Sequence, residues 1–384
     1  MLASRINIKP LSFVFLFGFL IIALWLENSY LTYFILGGFL GATLNYFQFG
    51  FRTCSQQLLS HGKTLGIRTV LFMLAITTLL FFPLLSAGHF GSQSLTGLIE
   101  PLSLSVVFGA FIFGIGMQLS NGCTSGTFNK LGQLQPLSMT AFASLIIGGT
   151  LAAYNITFWR ELPALPAVSL IQTFGLFQAL ILQLGVLSII YFLMVKKEKK
   201  HHQTIEPLFP SSYRVNQWHP WLLAGLTLAI FNTLLLITSG HPWSIASALP
   251  VWGVKLGTHI GLPFDFSFWD YSITYSQRLE TPVWQDTVSL TTWGLIFGAG
   301  LVSLLNRAQK TQQPKTPLNE HLLAIIGGLM MGYGAVIAFG CNIGAFFSGI
   351  GSGSLHGWLW AFSALMGNAL VITWRRRKIA ITKK

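Results

Sequence analysis

The sequence predicts an all-α polytopic membrane protein, with about ten transmembrane helices, inverted repeats and short re-entrant helices. Three observations predict it. Of 384 residues, 52% are apolar and only 9% are charged, against about a quarter charged in an ordinary soluble domain. Apolar runs long enough to cross a hydrocarbon core of ~30 Å recur from one end of the chain to the other, which leaves no space for a soluble domain. The basic residues cluster in alternate connections between those runs, as orientation in a bilayer requires.

The candidate spans, in order, are 12–26, 31–50, 70–86, 103–119, 138–157, 173–194, 221–238, 289–305, 322–339 and 356–374. The run from Ser12 to Leu26 is followed by Glu27 without a small-residue cleavage pattern, so it reads as a membrane helix rather than a signal peptide. Two Gly-rich apolar stretches, 122–133 and 341–354, are too broken to span. A third, 244–262, contains Pro250, Gly253 and Gly257 and is ambiguous. Thirty-nine glycines in all fit a membrane chain, because Gly is more frequent in membrane helices than in soluble ones.

With the N-terminus placed inside, all but Arg160, Lys255 and Arg278 of the 23 basic residues fall in cytoplasmic loops or termini. The pattern predicts a bacterial inner-membrane protein with both termini in the cytoplasm. The net charge of +13 is then topology, and nucleic acid is excluded as a partner. The ten acidic residues all lie in loops or at span ends. The lack of a mid-membrane carboxylate weighs against proton or sodium coupling, since a buried ionisable group usually marks an ion path. The chain divides into an additional N-terminal helix (1–29), a first repeat half (30–194), a basic cytoplasmic loop (195–219) and a second half (220–384).

The halves are related by a repeat. Gly109, Gly114, Gly116, Gly122, Cys123, Gly126 and Phe128 recur, without a gap, as Gly327, Gly332, Gly334, Gly340, Cys341, Gly344 and Phe346, an offset of 218 that Gly149 and Gly367 continue. Four spans precede Cys123 and nine precede Cys341, so the two motifs approach from opposite sides. Inverted repeats with interrupted helices place a substrate near the midplane. In each motif a helix is expected to end at Gly122 or Gly340, turn through Gly-Cys-x-x-Gly and restart. Gly126 and Gly344 are its structural glycines, and the new N-terminus suits an anion. Small-residue helix packing alone also accounts for many such glycines.

Three cysteines are too few and too scattered for a disulfide framework or a four-ligand zinc site. Neither cofactor nor metal is called for. A buried thiol is a weak donor, and burial beside an anion favours its neutral form. Cys123 and Cys341 would then pass a polarizable sulfur anion along by weak contacts, which is what conduction needs. Asn121, Thr124, Ser125 and Asn342 flank them as hydrogen-bond donors or as ordinary helix caps. Cys54 has no partner at the repeat offset, and His356, which aligns with Ser138, reads as an exit-lining residue or as a packing or capping one.

The stretches SNGCTSGTFNK and AFGCNIGAFFSGIGSGSLHGW, with NQWHPW opening the seventh span, resemble the YeeE/YedE family of sulfur-compound transporters over nearly all of 30–374. In particular the chain resembles the thiosulfate-uptake branch, against which the span at 12–26 reads as an addition to the family core. The resemblance implies thiosulfate passing through an hourglass-shaped protein, with Cys123 and Cys341 in the two central cysteine roles. It also implies hand-off to a small cytosolic sulfur-carrier or rhodanese-like protein. A further family cysteine aligns with Gly50 here; Cys54, one helical turn later, is its candidate substitute. The alternatives are a membrane thiol oxidoreductase, which would need a low-pKa accessible Cys or a C-x-x-C pair, and a transporter of a selenium compound or soft metal.

Overall fold

The structure is a computed structural model that describes residues 26, 28–209, 218–262, 277–306 and 316–382. It is a bundle of helices, as the composition requires. The long helices are α1 (Asn28–Tyr46), α3 (Leu65–Ala87), α4 (Leu104–Leu119), α6 (Pro136–Tyr154), α7 (Leu176–His202), α8 (Pro220–Ser239), α10 (Thr287–Leu305), α11 (Leu318–Ile337) and α12 (Leu355–Thr382). Shorter helices include α2 (Phe51–Gln56), α5 (Thr124–Gly132) and α9 (Ala248–His259). Among the described residues, eight helices are long and apolar enough to cross a membrane, α4 being counted with α5. The strands among them are two-residue pairs, His89–Phe90 with Gln93–Ser94 and Leu102–Ser103 with Ala164–Leu165, both antiparallel. The expected span 12–26 lies outside the described residues.

Local chemistry sets the helix ends. Pro136 opens α6 and Pro220 opens α8, where a missing N–H leaves nothing unsatisfied. Asp286 caps α10 by accepting from the Ser289 N–H at 2.9 Å. The expected span 31–50 stops at Tyr46, because Gln48 takes a positive φ of 50° and its side-chain amide donates to the Asn45 carbonyl at 2.6 Å. The chain restarts as α2 with Gly50 as its cap. The ambiguous stretch 244–262 does form a helix, α9; Pro250 falls in its first turn, where proline is tolerated.

Glycine lets the helices approach closely. Phe34 meets Gly294 and Gly38 meets Gly298, so α1 and α10 run parallel. Ala141 meets Gly328 and Leu145 meets Gly332, so α6 and α11 do the same. Gly109 faces Gly334 while Gly116 faces Gly327, so α4 and α11 cross antiparallel. A buried Gln118–Asn368 hydrogen bond of 2.8 Å ties α4 to α12. At one end, the basic end, lie Arg52, Lys130, Lys196 to Lys200 and a buried Arg68–Glu198 pair at 3.0 Å. At the opposite end the Thr96 N–H donates to the Gly240 carbonyl at 2.8 Å, and Trp159 donates to Tyr333 at 2.8 Å.

This packing makes a direct prediction. A side chain at Gly298 would overlap the Gly38 carbonyl, whereas one at Gly185 on α7 meets nothing within 4 Å. Gly298→Val is expected to lower stability by about 3 kcal/mol or more. Gly185→Ala is expected to be neutral or stabilising by up to about 1 kcal/mol. Thermal melts of the two purified variants check this, and equal melting temperatures would refute the packing scheme.

Candidate functional site

Both helix breaks form, and they share one backbone device. The chain leaves α4 through Asn121 at φ 61° and leaves α11 through Phe339 at φ 55°, residues that are equivalent in the repeat. The left-handed turn was expected at the glycines. Instead it sits one residue earlier in both motifs, and only Gly340, at φ 152°, is itself on the positive side. Asn tolerates this conformation and Phe does so rarely, so the second break is the more constrained.

Backbone polar groups at these breaks find partners. Ser120 Oγ sits 2.9 Å from the Gly116 carbonyl and 3.1 Å from that of Gly122, and Lys130 Nζ donates to the Asn121 carbonyl at 2.6 Å. Cys123 is the N-cap of α5: its Sγ accepts from the Gly126 N–H at 3.3 Å and lies 3.4 Å from Ser125 Oγ. At the second break, Trp360 Nε1 donates to the Gly340 carbonyl at 3.0 Å. Cys341 then leads into a π-helical turn, Asn342–Ser348.

Two cavities approach these breaks from opposite ends. The one at the basic end, about 130 Å³, is lined by Gly50, Arg52, Asn121, Gly122, Cys123 and Lys130 among others. The one at the opposite end, about 600 Å³, runs past Glu100, Arg160, Arg278 and Asp286 down to Phe339 and Gly340. Between them lies a neck. There the Thr124 hydroxyl faces the Cys341 thiol without forming an aligned hydrogen bond, and the N–H groups of Ile343 and Gly344 lie beside the same sulfur. Phe346 stacks on Trp360 at 6.3 Å and meets Phe51 edge-on at 6.1 Å, and Phe113 packs on Trp360 at 5.3 Å. Thr124 Oγ1 and Asn342 Oδ1 are buried there without a protein partner, an arrangement that favours a polar guest.

The three cysteines are free and buried, and Cys123 is within electrostatic range of the other two. They are not equivalent. Cys54 turns its sulfur onto Gly66 of α3 and does not line the cavity that Gly50, Arg52 and Thr53 line. His356 lines neither cavity; its ring is buried on Gly349, with Nδ1 2.6 Å from Ser354 Oγ. Gly126 and Gly344 sit directly under the thiol and hydroxyl groups of Cys123 and Ser244.

Sequence reasoning missed the charged lining. Arg52 and Lys130 read as topology signals, yet they form walls of the basic-end cavity. At the opposite end, burial pushes Glu100 up to about 7 against the opposing effect of Arg160. Burial would also raise Asp286, but hydrogen bonds from Arg278 at 2.7 and 3.1 Å and from Ser289 hold it below the ordinary carboxylate range. Among the described residues, no group of three or more His, Cys, Asp or Glu is placed to hold a metal.

Membrane-spanning helices that break in mid-course, with a cavity leading to each break from either end, define a polytopic membrane transporter. The chain belongs to the sulphur-transport family, that of the YeeE and YedE proteins, whose profile matches residues 48–370. It is therefore a sulfur-compound transporter and not an enzyme. The thiosulfate transporter TsuA of Spirochaeta thermophila is 27% identical over 348 residues, which cover 87% of this chain and 96% of that protein. The Escherichia coli protein named Probable transporter YedE is 28% identical over 160 residues, 42% of this chain and 38% of that one.

The paired motif glycines should respond differently to substitution. A Cβ on Gly340 would lie 2.5 Å from the Ala345 nitrogen at a φ that side chains rarely adopt, whereas one on Gly122 would come no closer than 3.2 Å to any neighbour, the Thr127 hydroxyl. Gly340→Ala is expected to cost about 3 kcal/mol or more in strain and overlap. Gly122→Ala should cost about 1 kcal/mol or less. Melting temperatures in detergent distinguish them; equal shifts would contradict the strained turn at Gly340.

Proposed function

We propose that the protein takes up thiosulfate, or a closely related small sulfur anion, into the bacterial cytoplasm along a path through the neck. The observation that carries this reading is the neck itself. Cys341, the Thr124 hydroxyl and the unpartnered Asn342 amide oxygen meet between two opposed cavities, with Cys123 at the head of the inner one. The relationship to a protein named as a thiosulfate transporter supports the choice of substrate.

The positive-inside pattern orients the basic end toward the cytoplasm and places both termini there. The anion enters the larger cavity and reaches Gly340. It then passes Cys341 and Cys123 by successive weak S–H contacts, with Thr124, Ser125, Asn121 and Asn342 completing the polar lining. No covalent step is needed, and weak repeated contacts let the anion leave as readily as it arrives. The N-terminus of α5, nine residues long, adds a favourable dipole at the inner side. A small cytosolic sulfur-carrier or rhodanese-like protein receives the anion at the basic face. The repeat halves 30–194 and 220–384 supply one break each.

Growth of a bacterium lacking its own uptake route, on thiosulfate as sole sulfur source, tests the path. Cys123→Ala and Cys341→Ala should each abolish growth while the protein remains in the membrane. Cys54→Ala should grow close to normally, because its sulfur packs against Gly66 outside the cavity lining. Normal growth of both neck variants would sink the thiol path; normal growth on a selenium compound alone would move the substrate.

A further inference from the structure

We propose that the basic-end cavity is a second anion-holding station, in which Arg52 and Lys130 hold the anion after it has passed Cys123. The inference deepens the transport reading and rests on it for the identity of the anion. Orientation in the membrane would be satisfied by exposed loop cations. These two are instead drawn into a cavity wall, close enough to feel each other's charge. The Nε of Arg52 is buried there without a hydrogen-bond partner. Arg375, from the far end of α12, adds its charge nearby. Among the described residues, no carboxylate lines the cavity to balance them.

The rest of the lining suits an oxyanion. Gln48 and Gln133 each spend one amide N–H, on the Asn45 carbonyl and the Asn129 side chain, and keep the other, which joins the Ser125 hydroxyl in the lining. Lys130 uses one N–H on the Asn121 carbonyl, which fixes its ammonium and leaves two for a guest. The volume of about 130 Å³ is roughly four water volumes of ~30 Å³ each, enough for one small tetrahedral anion. The opposite cavity differs in kind. There Arg278 is tied to Asp286, and Glu100 stands near Arg160. Positive potential is thus concentrated at the inner mouth, where it draws the anion out of the neck and holds it, still within reach of solvent, for the acceptor.

Thr53, exposed on the rim of this cavity, gives a substrate-independent probe. In the full-length Thr53→Cys protein, labelling by the anionic reagent MTSES is compared with labelling by the cationic MTSET, using protein without Thr53→Cys as the blank. The anionic reagent should be favoured about tenfold over its ratio on a free thiol. Arg52→Gln and Lys130→Gln should each cut that preference several-fold, and sulfate should slow MTSES labelling in the parent but not in the double variant. Thiosulfate uptake should fall with the preference. An unchanged preference in both variants, or a lost preference with undiminished uptake, overturns the station. Gel filtration shows whether each variant is folded, and either substitution alone suffices for the test. A wild-type protein that fails to carry thiosulfate overturns the transport reading instead, and sulfate protection still decides whether the cavity holds an anion.

Discussion

A polypeptide cannot leave its backbone N–H and C=O groups bare in hydrocarbon, and that constraint governs this structure. The chain stops being helical in mid-bundle twice, after Leu119 and after Ile337. Each break survives only because protein surrounds it. Ser120 and Lys130 satisfy carbonyls at the first, and the Trp360 indole satisfies one at the second. Glycine contacts between α4, α6, α11 and α12 bring that protein close enough, since any side chain there would strike a backbone carbonyl or amide. The broken backbone and the glycine-rich packing are therefore one design. A lipid-exposed break of the same kind would not persist.

The same breaks generate the chemistry. A helix that restarts in mid-bundle presents free N–H groups, and where it is capped a capping side chain, inside the protein. At the first break that cap is Cys123, whose sulfur accepts from the Gly126 N–H, while Cys341 holds the N-cap position at the second without a side-chain cap hydrogen bond. A thiol is a weak, polarizable partner, which suits an anion that must be recognised and then released. Phe51, Phe346 and Trp360 form an aromatic wall of the neck. The stronger electrostatic groups stand outside the neck, with Arg52 and Lys130 at one end and the compensated Arg278–Asp286 pair at the other. On the proposed path, full charges in the neck would trap the anion, whereas at the mouths they would gather it.

Much of this was legible in the sequence, because hydropathy and the repeat report directly on burial and on backbone breaks. Apart from 12–26, which lies outside the described residues, each expected span matches a long helix, most ends to within about five residues and those at 194 and 374 eight residues early, and both motifs mark true breaks. What was not legible depends on tertiary context. The left-handed turns fall on Asn121 and Phe339, since neighbouring packing, not glycine alone, decides which residue adopts positive φ. Helix α1 ends at Tyr46 because Gln48 closes a local hydrogen bond that an apolar run does not reveal. Cys54 shares its short helix with cavity-lining Arg52 and Thr53 but turns away, a matter of rotation about an axis whose start, Gly50, could not be located beforehand. Arg52 and Lys130 were hidden by their dual use, because a cation that orients a helix and one that lines a mouth look alike in one dimension.

A density map of the full-length protein in a bilayer mimetic with thiosulfate present tests the account most directly. Anion density is expected in the neck, against the Cys341 sulfur and the Thr124 hydroxyl, with the two cavities opening toward it from opposite faces. Density confined to another part of the bundle, or Cys123 and Cys341 found on lipid-facing surfaces, would contradict it.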